Sequence, residues 1–463
     1  MKKLLFFVFS ILAFMGCSND YEDPINKVVS FSVSDITSNS ATISGGLILP
    51  SEELPSAEVI LYYAPSESFD VTSAESISVT EFVAAKFKVT LTELTPETKY
   101  ALCLEVRTKA QIVVGKVNEF TTLDGPPFTF LTPAANCYII SQEGDYAFNT
   151  VKGNSGGQLK FVASAEVLWE SFGTDVTPSV GDLVKNVSYN DGEITFTATD
   201  KKGNAVIAAK DAKGSVLWSW HIWLTDQPTE QEYFYDAGIM MDRNLGAISA
   251  NPGDIGALGL FYQWGRKDPF LGSLSNSYNF MAESTITWPA AVLSEPETGT
   301  TTFASANPTT FIIGNRNYDW HYKGDDTLWS SYKSIYDPCP AGWQVPTGGP
   351  GCVWATALGG SMSAKEVIID GVNKGVNFKD IFGASDIWYP LAGALSYKAY
   401  HLKDEAIIDV GSSAQYWTTT AQKGQAETMR IYYDKDAERE LLNLANVNYR
   451  TEGLSVRCVK QQY

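Results

Sequence analysis

The chain has 463 residues, with 34 Lys plus Arg against 53 Asp plus Glu, a formal charge of -19. That balance excludes a nucleic-acid partner, which needs clustered Lys and Arg, and offers no electrostatic attraction to anionic lipid. Aromatics at 13% and 12 tryptophans exclude a disordered chain, and about 150 residues per domain suggests about three domains.

Lys2 and Lys3 precede an apolar run from Leu4 to Met15, the charge-then-apolar order of a secretory signal. The run is too short for a transmembrane helix, which takes roughly 20 apolar residues. It ends at Gly16-Cys17. A small residue directly before a cysteine at this point resembles a bacterial lipobox, although Phe14 and Met15 are bulkier than usual there. The resemblance implies cleavage of the signal peptide 1–16 and acylation of Cys17. An ordinary secretory signal with an incidental cysteine is the alternative. Cleavage removes two lysines, leaving 32 basic against 53 acidic residues and a charge of -21. The tether, residues 17–26, carries Ser18-Asn19-Asp20-Tyr21-Glu22-Asp23. This acidic run resembles the signal that exports Bacteroidetes lipoproteins to the outer face of the outer membrane. The expected partner at this end is therefore the membrane, through a lipid anchor.

Residues 27–124 alternate in short runs with turn residues between them, which suggests an all-β sandwich. Leu94-Thr95-Pro96-Glu97-Thr98-Lys99-Tyr100 delivers a Tyr to the start of an alternating strand. This is the pattern of a tyrosine corner, where the buried hydroxyl bonds to nearby backbone. The stretch resembles a fibronectin type III domain without its usual early-strand Trp, a place Tyr62 or Tyr63 is expected to fill. If Tyr100 points inward, Leu102, Leu104 and Val106 follow it, and Cys103 is expected to face outward. Asp124-Gly125-Pro126-Pro127 reads as a linker.

Residues 128–227 read as a second small β-sandwich. Turn signals at Asn190-Asp191-Gly192 and Lys213-Gly214 separate strand-like runs, and Asp211–Gly214 is expected to close a hairpin. On a strand, Trp218, Trp220 and Ile222 share one face and Ser219, His221 and Trp223 the other. The string reads as a strand buried on both faces with His221 hydrogen-bonded; a stacking platform for sugar rings is the alternative.

Residues 232–463 carry Met240-Met241-Asp242-Arg243-Asn244-Leu245-Gly246, then Phe261-Tyr262-Gln263-Trp264-Gly265. Asp337-Pro338-Cys339-Pro340-Ala341-Gly342-Trp343, Tyr389-Pro390-Leu391-Ala392-Gly393, Tyr416-Trp417-Thr418-Thr419-Thr420 and Gly453–Val459 follow. In this order the series is similar to the Fibrobacter succinogenes major paralogous domain, a family related to the C-type-lectin-like fold shared with formylglycine-generating enzyme. The resemblance implies an α+β domain in an otherwise β chain. Thr347–Cys352 replaces the family's acidic helix start, so a helix is expected near Val353-Trp354. Cys-Pro-Ala-Gly-Trp is expected to fix a turn and bury its indole.

Five cysteines remain after Cys17, so at least one stands outside any intrachain pair. Cys339 and Cys458 are expected to pair, closing a loop of about 120 residues that stabilises by roughly 4–5 kcal/mol in the entropy model. There is no CxxC or zinc-ligand spacing, no calcium-loop pattern, no GxSxG and no phosphate loop, so no cofactor or metal is expected. The leading expectation is a non-catalytic surface adhesin for a host or bacterial glycan or protein. A fimbria-associated or envelope-assembly subunit is the second, and an enzyme acting on glycans or proteins through paired carboxylates the third. Trp288, Tyr318, Trp320 and Trp329, in and beside the weakly patterned stretch from Leu271 to Asp326, are the candidate ligand contacts, with packing inside the domain the favoured alternative for each.

Overall fold

The structure, a computed structural model, describes residue 25 and residues 29–38, 40–80, 82–91, 94–124, 128–154, 156–314, 318–364, 367–396, 398, 406–434 and 439–461. Cys17 and the acidic run after it lie outside the described residues. The chain is mainly β and divides into two compact units, 1–127 and 128–463. The expected linker residues Gly125, Pro126 and Pro127 lie outside the described residues.

The first unit is a fibronectin type III-like sandwich. One sheet joins Val29–Ser34, Ala41–Leu47 and Lys86–Leu91. The other orders Glu75–Val79, Glu58–Pro65, Lys99–Arg107 and Ile112–Val114, with Asn118–Thr121 also paired to Lys99–Arg107. Alternation puts Ile43, Leu61, Phe87, Leu102, Leu104 and Val106 between the sheets. The tyrosine corner is present: the Tyr100 hydroxyl accepts the Thr95 backbone N–H at 2.9 Å, and its ring stacks on Phe120. Tyr62 and Tyr63 are only half-buried, and the buried aromatics of the core are Phe87, Tyr100 and Phe120 instead.

Cys103 departs from expectation. It is 2% exposed, with its thiol 3.4 Å from the Gly115 carbonyl oxygen. Lys99–Arg107 is paired on both sides. Tyr62 stands opposite Cys103 in the register and bonds Glu105, two residues on. Small side chains on such a central strand are shielded by longer neighbours, so period-2 alternation alone misplaces them.

In the second unit, two four-stranded sheets face each other. One orders Cys137–Ile140, Val216–Leu224, Gly203–Lys210 and Ser164–Ser171; the other orders Val184–Asn190, Glu193–Ala198, Gly144–Asn149 and Thr129–Phe130. The hairpin at Asp211–Gly214 forms as expected, with the Asp211 carboxylate accepting from the N–H groups of Lys213 and Ser215. Trp218, Trp220 and Ile222 pack with Phe148 and Phe196 between these sheets.

The stretches 128–227 and 232–463 share a core. The opposite face of the tryptophan strand, with Cys137, Trp169, Val206 and Trp223, packs against Met241, Leu245, Leu260, Tyr262 and Trp264. Backbone-seeking side chains stitch the seam: Asn204 donates to Gly246 O at 2.9 Å, Trp223 to Ala247 O at 3.1 Å, and Asn136 to Ile335 O at 2.8 Å. A strand apolar on both faces must be covered on both, so the sandwich has no solvated face to present here.

Beyond the seam, a large sheet orders Ser363–Ala364, Arg439–Tyr449, Gln425–Asp434, Ser413–Gln422, Gly453–Ser455, Ala394–Leu395 and Ile407–Ile408, with Phe261–Gln263 branching onto Gly453–Ser455. The described α-helices are the two short ones Thr301–Ala306 and Val353–Ala357, the latter where the sequence suggested one. Cys339 and Cys458 form a disulfide. The Pro-Ala-Gly-Trp turn is held by Asp337, which accepts from the N–H groups of Cys339 and Val345 at 2.9 Å each, and by Lys333 on the Cys339 and Trp343 carbonyls. Trp343 itself is only half-buried, contrary to expectation: these polar contacts fix the turn without needing the indole.

Candidate functional site

Two chemically suggestive clusters lie in the seam, and both are closed. Cys137 Sγ is 3.4 Å from His221 Nδ1, and His221 Nε2 is 2.9 Å from Asn204 Oδ1. The Asn oxygen can only accept, so Nε2 carries the proton and Nδ1 faces the thiol as acceptor. The three residues are 1%, 2% and 1% exposed. Burial lowers His221 to about 3 and pushes the Cys137 thiol well above its ordinary value. Both shifts disfavour a thiolate–imidazolium pair, and burial closes the thiol to solvent. Close by, Lys267 and Asp268 both bond the Ser219 hydroxyl, likewise buried.

The open site is a polar cleft of about 680 Å³ in the second unit. One wall is the turn from Asp319 to Asp326, where Gly324 takes φ +70. The other is the two-residue hairpin Lys423-Gly424, between Ser413–Gln422 and Gln425–Asp434, with φ +45 and +83. Positive φ at both central residues is the I′ turn that matches strand twist. Tyr449, closing the strand Arg439–Tyr449, completes the lining. Tyr322 enters the wall because Gly299 has no side chain: a Cβ there would lie 2.8 Å from Tyr322 Cβ.

Arg450 ties the walls together from beneath. It is 1% exposed, and its guanidinium lies 4.3 Å from the centre of the Trp264 ring. Nη1 reaches Asp319 Oδ2 at 3.3 Å, Nη2 pairs with Asp326, and Nε donates to Gln425 O at 3.0 Å. One planar fork thus bonds both walls, geometry that a Lys would not supply.

The carboxylates are unlike one another. Burial pushes Asp319 up to about 6, although its Oδ1 accepts the His321 N–H at 2.9 Å and Arg450 is near. Burial acts on Asp325 in the same sense, but bonds from the Thr327 N–H and hydroxyl win and hold it below its ordinary value. His321, half-buried, is lowered chiefly by burial.

Of the expected contacts, Tyr318 alone lies beside this cleft. It is 40% exposed and stacks on Tyr449 with centroids 4.4 Å apart. Trp320 and Trp329 are each 1% exposed and belong to the core. Their indole N–H groups donate to the backbone oxygens of Trp264 and Tyr336, so neither is free to meet a ligand. Trp288 is half-buried against Trp169 and Phe270, and its N–H donates to Ser284 Oγ at 3.1 Å. Sequence reasoning missed Arg450, Tyr449 and Lys423. They belong to no motif and meet the 319–326 turn only through the fold. Among the described residues no group of three or more His, Cys, Asp or Glu is placed to hold a metal ion.

No family model matches the chain, and no curated protein matches it. Among solved structures it is similar to the sensor domain of the anti-sigma factor RsgI4 in Pseudobacteroides cellulosolvens, at 25% identity over 21% of this chain and 96% of that one, TM-score 0.17. It is also similar to the fn3 domain of human collagen alpha-1(XX), at 20% identity over 24% of this chain and 95% of that one, TM-score 0.18. The fn3 domain of human contactin 1 gives 18% identity over 25% and 90%, TM-score 0.17.

Proposed function

We propose that the protein is a non-catalytic, lipid-anchored cell-surface binding protein that recognises a glycan or a glycosylated partner through the Arg450 cleft. The observation that carries this reading is a contrast in access. The groups that resemble catalytic machinery, Cys137 with His221 and Ser219 with Lys267, are sealed in the seam, whereas a cleft of about 680 Å³ open to solvent is lined by hydrogen-bonding side chains and two tyrosines. The lipobox-like Gly16-Cys17 and the acidic tether support an outward-facing anchor at the outer membrane. The motif series from Met240 to Val459 supports a lectin-like domain of the Fibrobacter paralogous kind.

A structural-subunit reading has its own support: Ile368 and Val372, 83% and 85% exposed, lie four residues apart, just before and within the turn Asp370–Gly375, where an assembly partner would cover them.

Cells expressing the chain are expected to attach alkynyl palmitate to it and to adhere to mucin-coated surfaces. Cys17→Ala is expected to lose both. Absence of lipid on the wild type overturns the anchor, and adhesion that is the same without the chain overturns the binding role.

A further inference from the structure

The cleft holds charges of both signs, but they are not equally available. Asp319 and Asp326 are bonded to Arg450, and Asp325 to Thr327. The cationic side chains at the mouth are Lys323, on the turn, and Lys423, at the tip of the facing hairpin. Both are exposed, and neither forms a salt bridge among the described residues. In a chain of charge -19, two such lysines on opposite walls of one cleft are the cations left for a ligand. The chain's long-range repulsion of anions is screened beyond about 8 Å at physiological salt. Local ion pairing then decides selectivity. Tyr322, 38% exposed, and Tyr449 supply ring faces at the same place. An aromatic face with a charged partner beside it suits a sugar ring carrying an anionic group better than an extended peptide.

We propose that the cleft takes an acidic saccharide, a sugar ring lying against Tyr322 with its carboxylate or sulfate bridging Lys323 and Lys423. This deepens the reading of the cleft as the ligand site and depends on it. A terminal sialic acid and a uronic-acid chain share this chemistry, so the probes must separate them.

The chain from Ser18 onward is presented to polymer-displayed 3′-sialyllactose, lactose, trigalacturonate and trigalactose in biolayer interferometry. At least one acidic probe is expected to bind tenfold or more tightly than its neutral counterpart, and which one identifies the source. The double variant Lys323→Gln/Lys423→Gln is expected to lose that preference with an unchanged melting temperature. Equal binding of acidic and neutral probes, an undiminished preference in the double variant, or no binding of any of the four overturns the proposal. Binding of other glycans that is lost in Tyr322→Ala would leave the cleft as the ligand site while removing its acidic preference.

Discussion

Arg450 Nη1 lies 3.3 Å from Asp319 Oδ2, and the side chains of both residues are at most 4% exposed. Removing one partner of a buried ion pair leaves the other charge uncompensated and costs about 3–5 kcal/mol. Arg450→Met is expected to cost an amount of this order in denaturant unfolding of the second unit. Arg450→Lys is expected to recover only part of it, because one ammonium cannot reach Asp319, Asp326 and Gln425 O together.

The same pair gives a pH signature. Burial raises the folded-state titration of Asp319 to about 6, above its unfolded value of 3.8. Between these values the folded chain holds the proton more tightly than the unfolded one, so this carboxyl's contribution to stability falls as pH rises from about 4 to about 6. Unfolding free energies of the wild type minus those of Asp319→Asn, measured across that range, are expected to decline with pH. A flat difference would show that Asp319 titrates normally.

Trp320 and Tyr318 are two residues apart and are expected to respond oppositely to truncation. Trp320→Ala removes a fully buried indole from the core and is expected to cost about 3–5 kcal/mol. Tyr318→Ala removes a ring that is 40% exposed and stacked on Tyr449. Its unfolding midpoint is expected to move little, while glycan binding weakens. Thermal unfolding and binding measured on the same two proteins separate core from contact.

Cys339 and Cys458, bonded across a sequence separation of 119, close a long loop. Cys339→Ser/Cys458→Ser is expected to lose about 2–5 kcal/mol. In the wild type from Ser18 onward, Cys103, Cys137 and Cys352 are buried. Ellman's reagent is therefore expected to find almost no thiol in the folded protein and three after unfolding. Slow reaction is the rule for buried thiols.

What was legible in the sequence was what local pattern encodes. The Pro-turn before Tyr100 announces its corner and the tryptophan string reads as buried on both faces, while the helix at Val353 is expected only through the family resemblance. What failed depended on neighbours that no local pattern reveals. Cys103 was misplaced because its strand is central, and Trp343 because Asp337 and Lys333 hold its turn. Trp320 and Trp329 sit in a stretch that looks like loop but folds back into the core. The cleft is not legible: Arg450, which pairs with Asp326 from 124 residues further on, belongs to no local pattern. The sharing of one core by 128–227 and 232–463 was equally hidden, since alternation tells that a strand is covered, not by what.

The most direct test of the binding account is a glycan and mucin array probed with the chain from Ser18 onward beside Tyr322→Ala, with the spotted glycans weighed by mass spectrometry afterwards. The expected result is selective binding by the wild type, lost in a variant that melts at the same temperature, with every glycan mass unchanged. Binding that survives Tyr322→Ala, no binding at all, or shortened glycans on the array would contradict it.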